Sequence, residues 1–113
     1  MNHPELDMAA MVERLEALRR ELLADSESSR DARDTVVLDQ TSVGRLSRMD
    51  ALQGQAMAKA EEERRQLALK RIAAAFQRIE RGEYGECIEC GEWIGRARLE
   101  WDPLALKCID CAD

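Results

Sequence analysis

The sequence is poor in the residues that build broad globular cores. Aromatic residues make up 4% of its 113 positions: one Phe, one Tyr and two Trp. That leaves too little bulky apolar mass for a large core, so the chain reads as one modest unit or a small module with helical extensions. Histidine occurs once and proline twice, which excludes a site built on several imidazoles and any proline-rich linker. No apolar run approaches the roughly 20 residues that cross a bilayer as a helix, so no membrane association is expected. The opening Met1–Asn2–His3–Pro4–Glu5 lacks a basic stretch followed by an apolar one. A secretory leader is therefore not expected, and a cytoplasmic location with reduced thiols is.

Positive charge is in deficit as well, with 17 Lys and Arg against 23 Asp and Glu and a formal net charge of −6. A chain of this sign is repelled by bare phosphate backbone, so direct sequence-specific DNA binding is not expected. The deficit lies in residues 1–44, which carry five Arg and ten acidic residues, whereas 45–113 carry twelve basic and thirteen acidic ones. An acidic first stretch suits a basic partner surface, or simply solvated helix faces. Nothing in the sequence pairs a nucleophile with a base, so no enzymatic activity is expected.

What is abundant is Ala, Leu, Glu, Arg and Met, the mixture of long helices with one buried stripe. Pro4 suits a first helical turn, with Asn2 or His3 as its cap. Met8, Met11, Leu15, Leu18 and Leu22 then recur at spacings of three and four, along one helix face. The same register continues through Asp25, Ser29, Ala32 and Val36, and the polar run Asp25–Ser29 predicts a soft point or a short break. Residues 39–44 collect cap and turn formers. A second helix of about 37 residues, roughly 55 Å long, follows. Its register takes in Leu46, Met49, Gln53, Ala56, Ala60, Glu63 and Leu67, then shifts to Leu69, Ile72, Phe76 and Ile79, and Gly82 ends it. Folding the helices back about 41–42 pairs positions whose numbers total roughly 83. Met8 and Met11 then lie near Phe76 and Ile72, and Ser29 lies opposite Gly54. The expected fold is mainly α: a long antiparallel coiled-coil hairpin over 1–81, with its tip at about 39–44, and a small C-terminal four-cysteine zinc finger over 82–113. A coiled coil joining a second copy of the chain is the alternative for the same pattern.

All four cysteines fall in two C-x-x-C pairs, Cys87 with Cys90 and Cys108 with Cys111, seventeen residues apart. This spacing fits a four-thiolate zinc site, with an iron–sulfur centre or disulfides as alternatives. Four thiolates fill a tetrahedral sphere, so one structural Zn2+ is expected, with no open position for catalysis. Gly85 and Gly91 supply the tight turns of the knuckle. Trp93, Ile94, Leu99, Trp101 and Leu104 are expected to wrap the site and dock it on Ile72, Phe76 and Ile79. His3 is expected to be a cap or tail residue rather than a ligand. Arg71 reads as a solvated helix position and a weaker candidate for partner contact, while Arg96 and Arg98, beside the knuckles, are better placed.

The stretch Gly82–Glu83–Tyr84–Gly85–Glu86–Cys87–Ile88–Glu89–Cys90–Gly91–Glu92–Trp93–Ile94, with Arg98–Leu99, Pro103 and Cys108–Ile109–Asp110–Cys111, closely resembles the zinc finger of the DksA/TraR family. The preceding helices fit that family too. The resemblance implies a stress-linked regulator of transcription initiation that binds RNA polymerase. It would insert its hairpin through the secondary channel, often together with guanosine tetraphosphate. On this chain the implied partner-binding tip is Asp39, Thr41, Ser42, Gly44 and Arg45. The family's Asp-x-x-Asp-x-Ala tip has its nearest match in Asp31–Ala32–Arg33–Asp34–Thr35–Val36, which ends in Val, so Asp31 and Asp34 compete with Asp39 for the acidic role. Alarmone-responsive members are basic where this chain has Asp102 and Ala112, and the sequence stops two residues past Cys111, where the family carries a further helix. Polymerase binding without alarmone response is the resulting expectation. The alternative is a zinc or thiol redox sensor of the same fold.

Overall fold

A computed structural model describes residues 2–33 and 45–112. Four helices form within them: α1 (Met8–Ser28), α2 (Arg30–Arg33), α3 (Arg45–Arg81) and α4 (Arg96–Trp101). The described residues contain no β-strand, only an isolated antiparallel bridge between Glu86 and Trp93. The chain divides into two compact units, Met1–Arg19 with Leu69–Asp113, and Arg20–Ala68. This division cuts across the motif boundary at 81/82, because the roots of both long helices pack with the cysteine segment.

Helix α1 starts later than Pro4. Its cap is Asp7, whose Oδ1 accepts from the Ala10 amide at 3.2 Å, while its carbonyl takes the Met11 amide at 3.0 Å. An acidic Asx side chain satisfies the orphan donors of a first turn better than Asn2 or His3 placed beyond a proline. The expected break appears at Ser29, a turn residue between α1 and α2. Ser28 and Ser29 hydroxyls donate back to the carbonyls of Asp25 and Ser26, at 3.1 and 3.3 Å. Such local bonds compete with the helical ladder. The Arg33 guanidinium then covers the carbonyls left at the break, donating to Ser26 O at 2.6 Å and Ser29 O at 3.4 Å, a favourable place for a cation at a helix C-terminus.

In the unit formed by Arg20–Ala68, α1 and α2 run antiparallel to α3. The Ser26 hydroxyl donates to Glu62 Oε2 at 2.6 Å, and Gln55 Nε2 donates to the Arg33 carbonyl at 3.5 Å. Each pair's numbers total 88, not 83, so the register is displaced from the one expected. Ser29 meets Arg65 Nη2 at 2.8 Å instead of facing Gly54.

The inward face of α3 also differs from the expected stripe. Ala51, Gln55, Ala58, Glu62, Arg65, Leu69, Ile72, Phe76 and Ile79 are shielded or buried. Their spacing alternates four and three without interruption, a continuous heptad pattern. Met49, Gln53, Ala56, Glu63 and Leu67 lie on the exposed side, Met49 at 50% and Leu67 at 51%. Apolar residues on the outer face outweighed charged ones on the inner face, which is why the sequence pattern seemed to shift partway along a helix that keeps one register throughout. On α1 the stripe Met11, Leu15, Leu18, Leu22 holds, then continues through Ser26, Ser29 and Arg33 instead of Asp25 and Ala32.

Charges on an inner face need partners, and here they have them. Glu62 accepts from Ser26, from Arg65 Nε at 2.9 Å and from Gln66 Nε2 at 2.9 Å, with Arg33 Nη1 at 3.2 Å. The donors from Ser26, Gln66 and Arg65, in that order, hold its carboxyl down at about 2 instead of the ordinary 4.5. A depressed carboxyl contributes stability that is complete above its ordinary value and is lost as pH falls through the depressed one. Replacing Glu62 by Ala should therefore lower the thermal midpoint of helix unfolding at pH 7, and the gap between variant and parent should shrink as pH falls from 4.5 toward 2. Circular dichroism melts across that range measure it.

Candidate metal centre

The cysteine segment starts where α3 stops. Gly82, at φ 73°, ends the helix: its amide donates to Ile79 O at 3.1 Å and the Glu83 amide to Arg78 O at 2.8 Å. This is the paired C-terminal bond pattern that a left-handed glycine allows. Arg78 Nη2 also donates to the carbonyls of Glu83 and Glu86, fastening the outgoing chain to the helix it has left. Gly85 and Gly91, at φ 96° and 76°, make the two reversals expected of them. Between them the Cys87 amide donates to Glu92 O at 2.8 Å, the Ile94 amide to Gly85 O at 2.7 Å and the Gly91 amide to Cys87 O at 3.0 Å. The second pair is turned by Cys111 and Ala112 amides onto Cys108 O, at 3.1 and 2.9 Å, and the Ile88 amide reaches Leu106 O at 2.9 Å to join the two knuckles.

These turns bring Cys87, Cys90, Cys108 and Cys111 together, with all four sulfurs within 4.8 Å of one another. A tetrahedron with zinc–sulfur bonds of about 2.3 Å sets sulfurs about 3.8 Å apart, and Cys90 and Cys108 are 3.7 Å apart. The donor set therefore fits one structural Zn2+, and the seventeen-residue spacing has produced the site it promised. The thiols also need a cation. Backbone N–H groups of Cys90 and Cys108 hold the Cys87 thiol down at about 6, while the neighbouring sulfurs, Cys108 first, push Cys111 up. One thiolate in such a cluster raises the cost of the next, and a divalent ion removes that conflict.

Two small clusters surround the site. Cys87, Ile94, Leu99 and Cys108 form one, and Met11, Leu15, Ala75 and Tyr84 the other; Leu6 packs against both. The Tyr84 hydroxyl donates to Pro103 O at 2.7 Å, and burial pushes the phenol up to about 12. Ile94 and Leu99 are fully enclosed, as expected of residues wrapping the centre. Trp101 is not among them: it is 86% exposed. It follows Leu99 by two positions in α4, about 200° around the helix, so it faces away from the cluster that Leu99 enters.

His3, read from sequence as a cap or tail, is 4% exposed and belongs to the packing around the centre. Its Nε2 lies 2.7 Å from Ile94 O, which accepts, so this nitrogen carries the proton, while Nδ1 accepts from the Glu5 amide at 3.2 Å. The His3 amide donates to Tyr84 O at 2.9 Å, the Tyr84 amide to Asn2 Oδ1 at 3.0 Å, and Asn2 Nδ2 to Ile79 O at 3.1 Å. The residues before α1 thus form a strap tying the end of α3 to the first knuckle. Nothing in periodicity or spacing marked it, because its two polar side chains are recruited by backbone groups about eighty residues away.

Of the other candidate residues, Arg71 and Arg98 line a shared hollow of about 310 Å3 with Asp102, Lys107 and Ala112. Lys107 pairs with Glu89 at 2.9 Å, and Arg98 Nε donates to Lys107 O at 2.9 Å. Arg96 does not line this hollow; it pairs with Glu100 at 2.8 Å. Asp39, Thr41, Ser42 and Gly44 lie outside the described residues, as does Asp34; Arg45 is the first residue of α3 and Asp31 an exposed residue of α2. Among the described residues no helix is long and apolar enough to cross a membrane.

The family profile described as the prokaryotic dksA/traR C4-type zinc finger matches residues 82–113. The chain is similar to the RNA polymerase-binding transcription factor DksA of Haemophilus influenzae, 41% identical over 49 residues that span 43% of this chain and 34% of that protein. The protein of the same name from Caulobacter vibrioides is 39% identical over 51 residues, 45% of this chain and 36% of that one. The matched stretch thus covers about a third of these relatives' length. Among solved structures, transcription factor DksA2 from Pseudomonas aeruginosa is similar over 94% of this chain and 86% of its own, with a TM-score of 0.69 and 27% identity.

Two measurements check the centre. Elemental analysis of purified protein should give one zinc per chain, and a strong chelator should unfold the cysteine segment, since metal binding on the order of 10 kcal/mol is folding free energy here. Gly85→Ala should destabilise by about 2–4 kcal/mol. The added Cβ meets His3 Cβ at 2.7 Å and must hold φ 96°. Denaturant unfolding of the zinc-loaded variant measures the loss.

Proposed function

From its membership of the DksA/TraR family of C4-type zinc-finger proteins, carried by residues 82–113 and the helical fold, we propose that this chain is a non-enzymatic regulator of transcription initiation that binds RNA polymerase. It acts in the cytoplasm on the polymerase rather than on DNA, in keeping with its net charge of −6. The observation that carries the reading is a closed four-thiolate centre at the root of two long helices, in a fold similar to DksA2 over 94% of the chain. Four sulfurs saturate the ion, so the metal holds structure and the activity lies in what the helices present.

The segment joining α2 and α3 enters the secondary channel and brings an acidic group near the active site. Asp39 is the foremost candidate for that group, with Asp31 and Asp34 behind it; Thr41, Ser42, Gly44 and Arg45 shape the approach. Arg71, Arg96 and Arg98 make weaker contacts at the base. Guanosine tetraphosphate is not expected to act through the hollow beside Arg71. Asp102 and Ala112 stand there where the resemblance implies basic residues, and of the three cations that line the hollow Lys107 is already paired with Glu89 and Arg98 Nε is held on Lys107 O.

A photoreactive group at residue 42 tests partner and orientation together. In the presence of core polymerase it should label the walls of the secondary channel, and Asp39→Asn should leave labelling intact while reducing the effect on initiation severalfold. Labelling outside the channel, or none with the intact protein, sinks the reading.

A further inference from the structure

Both tryptophans lie outside the packed clusters, although a chain with four aromatic residues has few to spend on its surface. Trp93, Ala97 and Ile109 line a groove of about 390 Å3, with Arg98 and Asp110 among its other walls. Ile109 is 78% exposed. Trp101 follows Ala97 by four positions in α4, so the same helix face carries the apolar surface onward from the groove. Trp93 is held on one side by the His3 ring, at 5.2 Å between centroids and 55° between planes, which fixes its orientation before anything binds. Exposed indoles beside a concave apolar surface are the composition of an interface centre, not of ordinary solvated surface.

Charge narrows the partner. Four thiolates around one Zn2+ leave two negative charges, and Cys108 is part of the groove wall. Asp110 and Glu92, exposed beside Ile109 and Trp93, enter no ion pair among the described residues. Against these, among the described residues, stand Arg98, which keeps its charge while its Nε donates to Lys107 O, Arg96, paired with Glu100, and Lys107, which faces Cys111 and Cys87 but is paired with Glu89. The groove is negative on balance. Apolar walls and indole faces in a negative field select a cation beside an apolar anchor, such as Arg or Lys next to Leu, Met or Phe. The same sign repels phosphate, and it sets two copies of this face against each other.

We propose that this groove is a second docking surface of the chain, for a basic segment with an apolar anchor on the outer surface of RNA polymerase. It rests on the polymerase reading and adds a contact that the hairpin does not make. Its residues are Trp93, Ala97, Trp101 and Ile109, flanked by Asp110.

The test is equilibrium binding of core polymerase to the full zinc-loaded chain, to Trp101→Ser, Ile109→Ser and Trp101→Phe, and to a variant with the 39–44 segment shortened. The serine variants should weaken binding roughly tenfold each, with most of the loss restored by Phe at 101. Zinc content and melting should not change, because both side chains are largely exposed. Parental affinity in both serine variants, with binding still weakened by shortening 39–44, overturns the groove and leaves the polymerase reading standing. No binding by the parent chain removes both. Self-association that Trp101→Ser abolishes, with polymerase affinity untouched, assigns the face to a second copy and also overturns the proposal.

Discussion

Four thiols gathered within 4.8 Å can all ionise only around a cation, and the root of the molecule is arranged about that constraint. The enclosed apolar side chains there are few: Leu15, Ile72, Ile94 and Leu99 are the largest with almost no exposure. Such a core is too small to order three separate stretches of chain by itself, and metal coordination supplies what burial does not. The three stretches meet at Tyr84 and Gly85. The Tyr84 amide donates to Asn2 Oδ1 and its carbonyl accepts from the His3 amide, while the Gly85 carbonyl accepts from the amide of Ile94 on the far side of the knuckle. Fixing the sulfurs fixes that reversal, and with it the strap and the end of α3.

A different kind of order governs the unit formed by Arg20–Ala68. There the inner face of α3 carries Glu62 and Arg65 where an apolar seam would carry leucines. These groups contribute stability through the depressed Glu62 carboxyl, whose hydrogen bonds outweigh its desolvation. They also have a geometric consequence. A slip of the register leaves Glu62 without Ser26 and Arg33, and Arg65 without Ser29, whereas an all-apolar seam slides at small cost. Within this unit the polar layer specifies alignment.

The sequence made the metal site legible because its signal is local: ligand spacing and the two turn glycines are read directly. The boundaries of α3 were equally plain, with Gly82 closing it, and the serine run marked the break at Ser29. Alignment of the helices was not legible. Hydrophobic periodicity assumes that charge faces solvent, and Glu62 and Arg65 reverse that assumption only through partners on another helix. His3 and Trp101 mislead for mirrored reasons. A lone histidine near a terminus and a tryptophan beside a zinc knuckle have opposite default environments, and tertiary contacts invert both. Asn2 and His3 are drawn inward by backbone groups of residues 79–94, a pairing that no local pattern announces.

Coupling between the sulfurs and the strap is the most exposed part of this account, and hydrogen exchange on the full chain with and without zinc measures it directly. Stripping the metal should release the amides of His3, Tyr84 and Ile94 together with that of Cys87, in one cooperative step. If the His3 and Tyr84 amides keep their protection after the metal is gone, the strap stands without the thiolate centre and the account is contradicted.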